Sequence, residues 1–194
     1  MTERGSGIRG EADRGGGVAE YQRHLESVNR EALVVGALLG GGLVPLFWAL
    51  DLWVMDSRTT EMLAIRGFVG VWSTALLLAI RFASAWVTRR SLELTTAHTV
   101  VVAGAIAGLC WVHGGYESPY YVGLNLAMMG TGLLFVWPLP HAIAVNVIVY
   151  AIYMTPLACG FLLVRDWKTV VTNQAFLLGT MVIVLAAQGY RFRM

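Results

Sequence analysis

Two of the four histidines, His98 a few residues inside one apolar segment and His141 at the start of another, belong to segments that begin on the same side of a membrane. They therefore lie at similar depth. Neutral imidazoles on two facing helices can ligate a b-type haem axially, and Arg81, Arg89 and Arg90 on that side can pair with its propionates. His24 and His113 are weaker candidates for a second haem. Each lone histidine near a helix end also has a plainer reading as an interfacial residue, the more frequent case. On the opposite side, His113 and Glu117, joined by Asp51 or Glu61, offer N and O donors for a divalent metal. No HxxxH or HExxH spacing accompanies them.

A charge inside an apolar segment is the next signal. Arg66 stands a turn or so into the second segment, where an ionised group needs a partner or water. Asp51, Glu61 and Glu117 are the acids within reach on that side. Arg66 can simply snorkel to the headgroups; as a functional residue it would mark the outer end of a ligand site, together with Tyr120, Tyr121 and Asn125. Asn125 lies about a turn into its segment and must find a hydrogen-bond partner inside the bundle. No Ser-His-Asp order, catalytic carboxylate pair or phosphate-binding glycine loop is present, so no enzyme is read in this chain.

The elements that must position these groups follow from composition. Hydrophobic residues make up 57% of the chain against 13% charged, and the mean hydropathy is +0.63. That balance lies outside the soluble range and predicts a lipid bilayer as the main solvent. A net charge of +2 without any basic stripe excludes nucleic acid as a partner. Cys110 and Cys159 each sit in an apolar run, which predicts small packing residues and not a disulfide framework.

Six apolar segments are predicted as transmembrane helices, at 32–50, 64–80, 95–112, 120–137, 141–164 and 170–187. Each approaches the roughly 20 residues needed to cross a hydrocarbon core of about 30 Å. Backbone in lipid must satisfy its own hydrogen bonds, so the expected fold is an all-α polytopic bundle. The glycine-rich residues 1–17 are expected as a disordered tail, and 18–31 as an amphipathic juxtamembrane helix. Residues 32–190 then form the six-helix domain. Arginines gather before the first segment, between the second and third, and after the sixth, which predicts both termini in the cytoplasm. The middles of the segments are nearly pure Leu, Val, Ala and Gly, which argues against a transporter or channel.

The string Gly114-Gly115-x-x-Ser118-Pro119-Tyr120-Tyr121-x-Gly123-Leu124-Asn125-Leu126 resembles a loop in six-helix membrane input domains of bacterial sensor histidine kinases and class III adenylate cyclases. Asn173-Gln174-Ala175-Phe176-Leu177-Leu178, with Arg191 and Arg193 at the end, is similar to the helix by which such domains enter the cytoplasm. Pro45-Leu46-Phe47-Trp48 and Leu63-Ala64-Ile65-Arg66 carry a weaker likeness to autoinducer-receptor domains of quorum-sensing kinases. The likeness covers residues 20–194. It implies a sensory domain in the bacterial inner membrane that binds a small molecule, acts as a homodimer, and signals through its last helix. Residues 191–194 are then expected to open the signalling helix of a longer protein, whose kinase or cyclase part would hold the catalysis. The alternative from the residues themselves is a b-type membrane cytochrome that exchanges electrons with quinone.

Overall fold

The computed structural model describes residues 6–54, 59–160 and 164–191, with backbone alone at 6–19 and at 50, 53, 54 and 59. Every regular element among the described residues is helical. In chain order they are α1 (Ser6–Val54), α2 (Thr59–Phe82), α3 (Ser84–Arg89), α4 (Ser91–Val112), α5 (Tyr121–Leu134), α6 (Leu139–Ala158) and α7 (Trp167–Arg191), with one 3-10 turn at Gly115–Glu117. Among the described residues, five helices carry stretches long and apolar enough to cross a membrane: Glu20–Ala49, Thr60–Phe82, Ser91–Val112, Leu139–Ala158 and Trp167–Arg191. Their lipid-facing sides expose large apolar residues such as Val71, Phe176 and Val182, the pattern of a multi-pass membrane protein.

The segment expected at 120–137 forms a shorter helix. α5 has 14 residues, roughly 21 Å at 1.5 Å per residue. It stops at Leu134 because Trp137 precedes Pro138, and a residue before proline is pushed to extended backbone. Phe135 is already extended, with φ −89° and ψ 140°. At the other end, α1 runs without a break through 18–31 into the first apolar stretch. At 49 residues it is roughly 74 Å long, more than twice the hydrocarbon thickness, so part of it lies outside any bilayer.

α4 is the central post and packs against α1, α2, α5 and α6, while α7 closes the bundle against α5 and α6. Small residues let the posts approach. Gly36 and Gly40 face the His98 ring on α4, where an added Cβ would come within 3.4 Å of one of its atoms at Gly36 and within 3.2 Å at Gly40. This GxxxG pair therefore serves packing inside the bundle. Between α4 and α5 the chain turns at Gly114, which has φ +83°, a left-handed conformation that glycine adopts without steric cost.

Candidate functional site

Arg66 lies two turns into α2 and is 5% exposed, so it does not snorkel to water. Asp51, near the end of α1, is its partner: Arg66 Nε donates to Asp51 Oδ2 at 2.7 Å, and Nη2 approaches the same oxygen at 2.6 Å. A third donor, Nη1, reaches the Val44 carbonyl at 3.1 Å. The Tyr120 hydroxyl donates to the remaining carboxylate oxygen, Oδ1, at 2.6 Å. The guanidinium also stacks over the Phe47 and Tyr120 rings at 6.0 and 5.8 Å. The α1–α2 hairpin and the start of α5 are thus tied by one buried, charge-balanced cluster. Of the three acids within reach in the sequence, only Asp51 has this place; Glu61 is exposed, and Glu117 is engaged elsewhere.

Beneath the cluster lies a cavity of about 550 Å³ between α1, α2, α4 and α5. Leu43, Phe47, Val102, Ile106 and Leu126 line its middle, and His98 and Phe135 close its inner end. At that end His98 Nδ1 and Ser73 Oγ are buried without a hydrogen-bond partner among the described residues, leaving unused polar capacity near Gly40.

Of the expected ligand residues, Arg66 and Tyr120 line this cavity. Asn125 instead accepts a hydrogen bond from Thr180 of α7 at 2.8 Å, the partner that a carboxamide inside an apolar helix requires. Tyr121 is half-buried and packs against the core. His98 points from α4 toward α1, whereas His141 Nε2 lies 2.7 Å from Thr96 Oγ1, with the Trp137 ring against it at 5.9 Å. Positions 96 and 98 are about 200° apart around a helix. The two imidazoles therefore occupy different sides of α4 and do not face one another. Arg81, Arg89 and Arg90 are exposed on the same side, where Arg81 stacks over Phe82 and Arg90 over Trp86. His24 is exposed on α1.

His113 caps α4 and meets the Tyr120 ring edge-on at 5.8 Å. Glu117 Oε1 accepts the backbone N–H groups of Arg165 and Asp166, both at 2.7 Å. The two residues proposed for a metal thus have separate duties, and no group of three or more His, Cys, Asp or Glu with metal-binding geometry occurs among the described residues.

Three polar residues that the sequence did not flag hold the bundle together. Tyr116, 2% exposed, accepts the Leu157 N–H on its hydroxyl and donates to the Met154 carbonyl at 3.3 Å. Pro156 explains the need, since a proline inside α6 disturbs the local ladder and frees neighbouring groups. Asn29 of α1 pairs its carboxamide with both backbone groups of Val136, each at 2.8 Å. Gln188 of α7 donates to the Gly132 and Phe135 carbonyls, each at 2.7 Å. Gln188 stands one residue past the predicted end of the last segment, so the reasoning that singled out Asn125 passed it over.

No family model, curated protein or solved structure matches this chain. The functional reading therefore rests on the site's own geometry.

Proposed function

We propose that this chain is a membrane-embedded receptor domain that holds a small amphipathic molecule in the cavity between α1, α2, α4 and α5 and signals through α7. The observation that carries the reading is the cavity, about 550 Å³ with an apolar lining and one charged pair at its outer end. Small-molecule pockets occupy roughly 300–1,000 Å³, whereas deleting a large core side chain leaves only about 150 Å³. The space is therefore of ligand size, and it opens toward the bundle's exterior along the exposed side chains of Leu43, Phe47 and Leu126. Its polar groups suit an amphiphile: a guanidinium has five N–H donors, and Asp51 and Val44 engage three, leaving capacity for an acceptor oxygen. Because Asp51 already balances Arg66, an uncharged head group is favoured over an anion.

The reading takes α5 and the extended residues 135–138 together as the sixth crossing, with both termini in the cytoplasm of a bacterial inner membrane. Extended backbone is tolerated at membrane depth only where protein buries it, and Phe135 and Trp137 are 0% and 1% exposed. The likeness to input domains of sensor kinases and adenylate cyclases supports a homodimer that passes a shift of α7 to a cytoplasmic output.

The test is photolabelling of the protein in lipid nanodiscs with an uncharged medium-chain alcohol carrying a diazirine. Label should concentrate on Val102, Ile106 and Leu109, which line the cavity. Gly130→Leu should abolish it, because Gly130 lines the cavity and an added Cβ there meets nothing within 4 Å. Label confined to lipid-facing side chains such as Val71 and Val182 would refute the reading.

A further inference from the structure

We infer that the extended stretch from Phe135 to Pro138 is the link between the cavity and α7, with Phe135 sensing occupancy and Gln188 receiving it. The inference rests on the receptor reading above and adds its means of regulation.

An extended segment in a membrane bundle has no helical ladder, so its polar groups need partners from elsewhere. Here they come from three other helices. Asn29 of α1 takes both backbone groups of Val136. Thr95 of α4 accepts the Trp137 indole N–H at 3.0 Å. Gln188 of α7 takes the Phe135 carbonyl, and its Oε1 receives the Trp137 N–H at 3.4 Å. One turn later, Arg191 Nη2 donates to the Leu133 carbonyl at 2.8 Å. The last turns of α7 thus hang on the carbonyls that α5 leaves unpaired at its C-terminus.

Phe135 joins the two ends of this arrangement in one residue. Phe135 lies at the cavity's inner end, and its carbonyl is held by α7. The ring is hemmed in, with Gly36 of α1 on one side, where not even a Cβ would fit without crowding Cζ, and the Trp137 ring 5.5 Å away on another. A molecule that reaches the inner end must therefore turn the ring away and carry the extended backbone with it. Gln188 is 0% exposed, so water cannot replace the carbonyls it would lose. Restoring those bonds requires α7 to follow. Packed helices respond to such demands by shifts of roughly 1–2 Å, and the ligand gains leverage only through its different affinity for the two arrangements.

The experiment places spin labels at Ser27 of α1 and Tyr190 of α7, both exposed, in a Cys159→Ser background that keeps the buried Cys110. Their distance is measured in nanodiscs with and without the uncharged diazirine alcohol, before irradiation. Saturating alcohol should move the distance distribution by roughly 1–2 Å, and Phe135→Trp should shift it without alcohol. Gln188→Leu should remove the response while Ile106 is still photolabelled. Phe135→Leu, which leaves every backbone hydrogen bond in place, should cut the response at least twofold and guards against a Gln188 variant that fails to fold. A full response in both Gln188→Leu and Phe135→Leu overturns the link, as does a native protein that is labelled in the cavity without any shift. Loss of cavity labelling in the native protein overturns the receptor reading itself.

Discussion

Tyr120 and Asp51, 69 residues apart in the chain, meet in a 2.6 Å hydrogen bond that joins the start of α5 to the end of α1. Arg66 holds the other carboxylate oxygen, so the three side chains form one unit with both charges out of water. Removing one member strands the rest. Asp51→Leu should destabilise the protein by about 3–5 kcal/mol, because a buried guanidinium loses its counter-charge. The double variant Asp51→Leu with Arg66→Met should recover most of that loss. Unfolding in mixed micelles measures all three proteins, and a double variant no more stable than Asp51→Leu would rule out the coupling.

Tyr116→Phe should cost about 1–3 kcal/mol, although it removes a single oxygen. That oxygen accepts the Leu157 N–H beside the α6 proline, and a buried donor left unmet carries its full desolvation penalty. Hydrogen exchange at Leu157 should quicken in the variant, while exchange in the middle of α2 stays unchanged. Equal exchange at Leu157 in both proteins would show that the hydroxyl is dispensable.

Gly132 lies where α5 crosses α7, and a Cβ there would overlap Val184 Cγ1. A β-branched side chain has little rotamer freedom with which to yield. Gly132→Ala should therefore destabilise by about 1–3 kcal/mol through overpacking, against the usual gain from replacing a helical glycine. Adding Val184→Ala should restore stability to near the Val184→Ala value. A neutral Gly132→Ala in thermal unfolding would show that the helices can separate at little cost.

Asp166 caps the start of α7, with Oδ1 accepting the Lys168 N–H at 2.9 Å and Oδ2 the Thr169 hydroxyl at 2.6 Å. These hydrogen bonds hold its carboxyl below the usual carboxylate range, the Thr169 hydroxyl contributing most. A depressed folded pKa means stabilisation that is present above the ordinary value of about 3.9 and is lost as pH falls through the folded value. Exchange at the Lys168 amide, corrected for intrinsic rates, should stay protected near neutrality and lose protection below about pH 4. In Asp166→Asn that acid-dependent step should vanish.

Polarity inside an apolar segment made Arg66 and Asn125 legible from the sequence, since lipid offers neither of them a partner. Which partner each takes was not legible. Asp51, Glu61 and Glu117 were equally available to Arg66 along the chain, and Thr180 lies 55 residues from Asn125. His98 and His141 show the same limit: position along a helix fixes depth, but contact depends also on rotation about the axis. Two residues, about 200° of turn, send His98 toward α1 while Thr96 meets His141.

The sequence alone determined the solvent, the helical fold and the set of polar groups that need partners. Each follows from local chemistry: side-chain transfer to lipid and backbone satisfaction. Tertiary structure alone decided that Asn29 and Gln188 clasp the extended residues after α5, and that Phe135 stands between the cavity and α7. Those choices depend on the order and rotation of neighbouring helices, which short loops restrict and only side-chain packing selects.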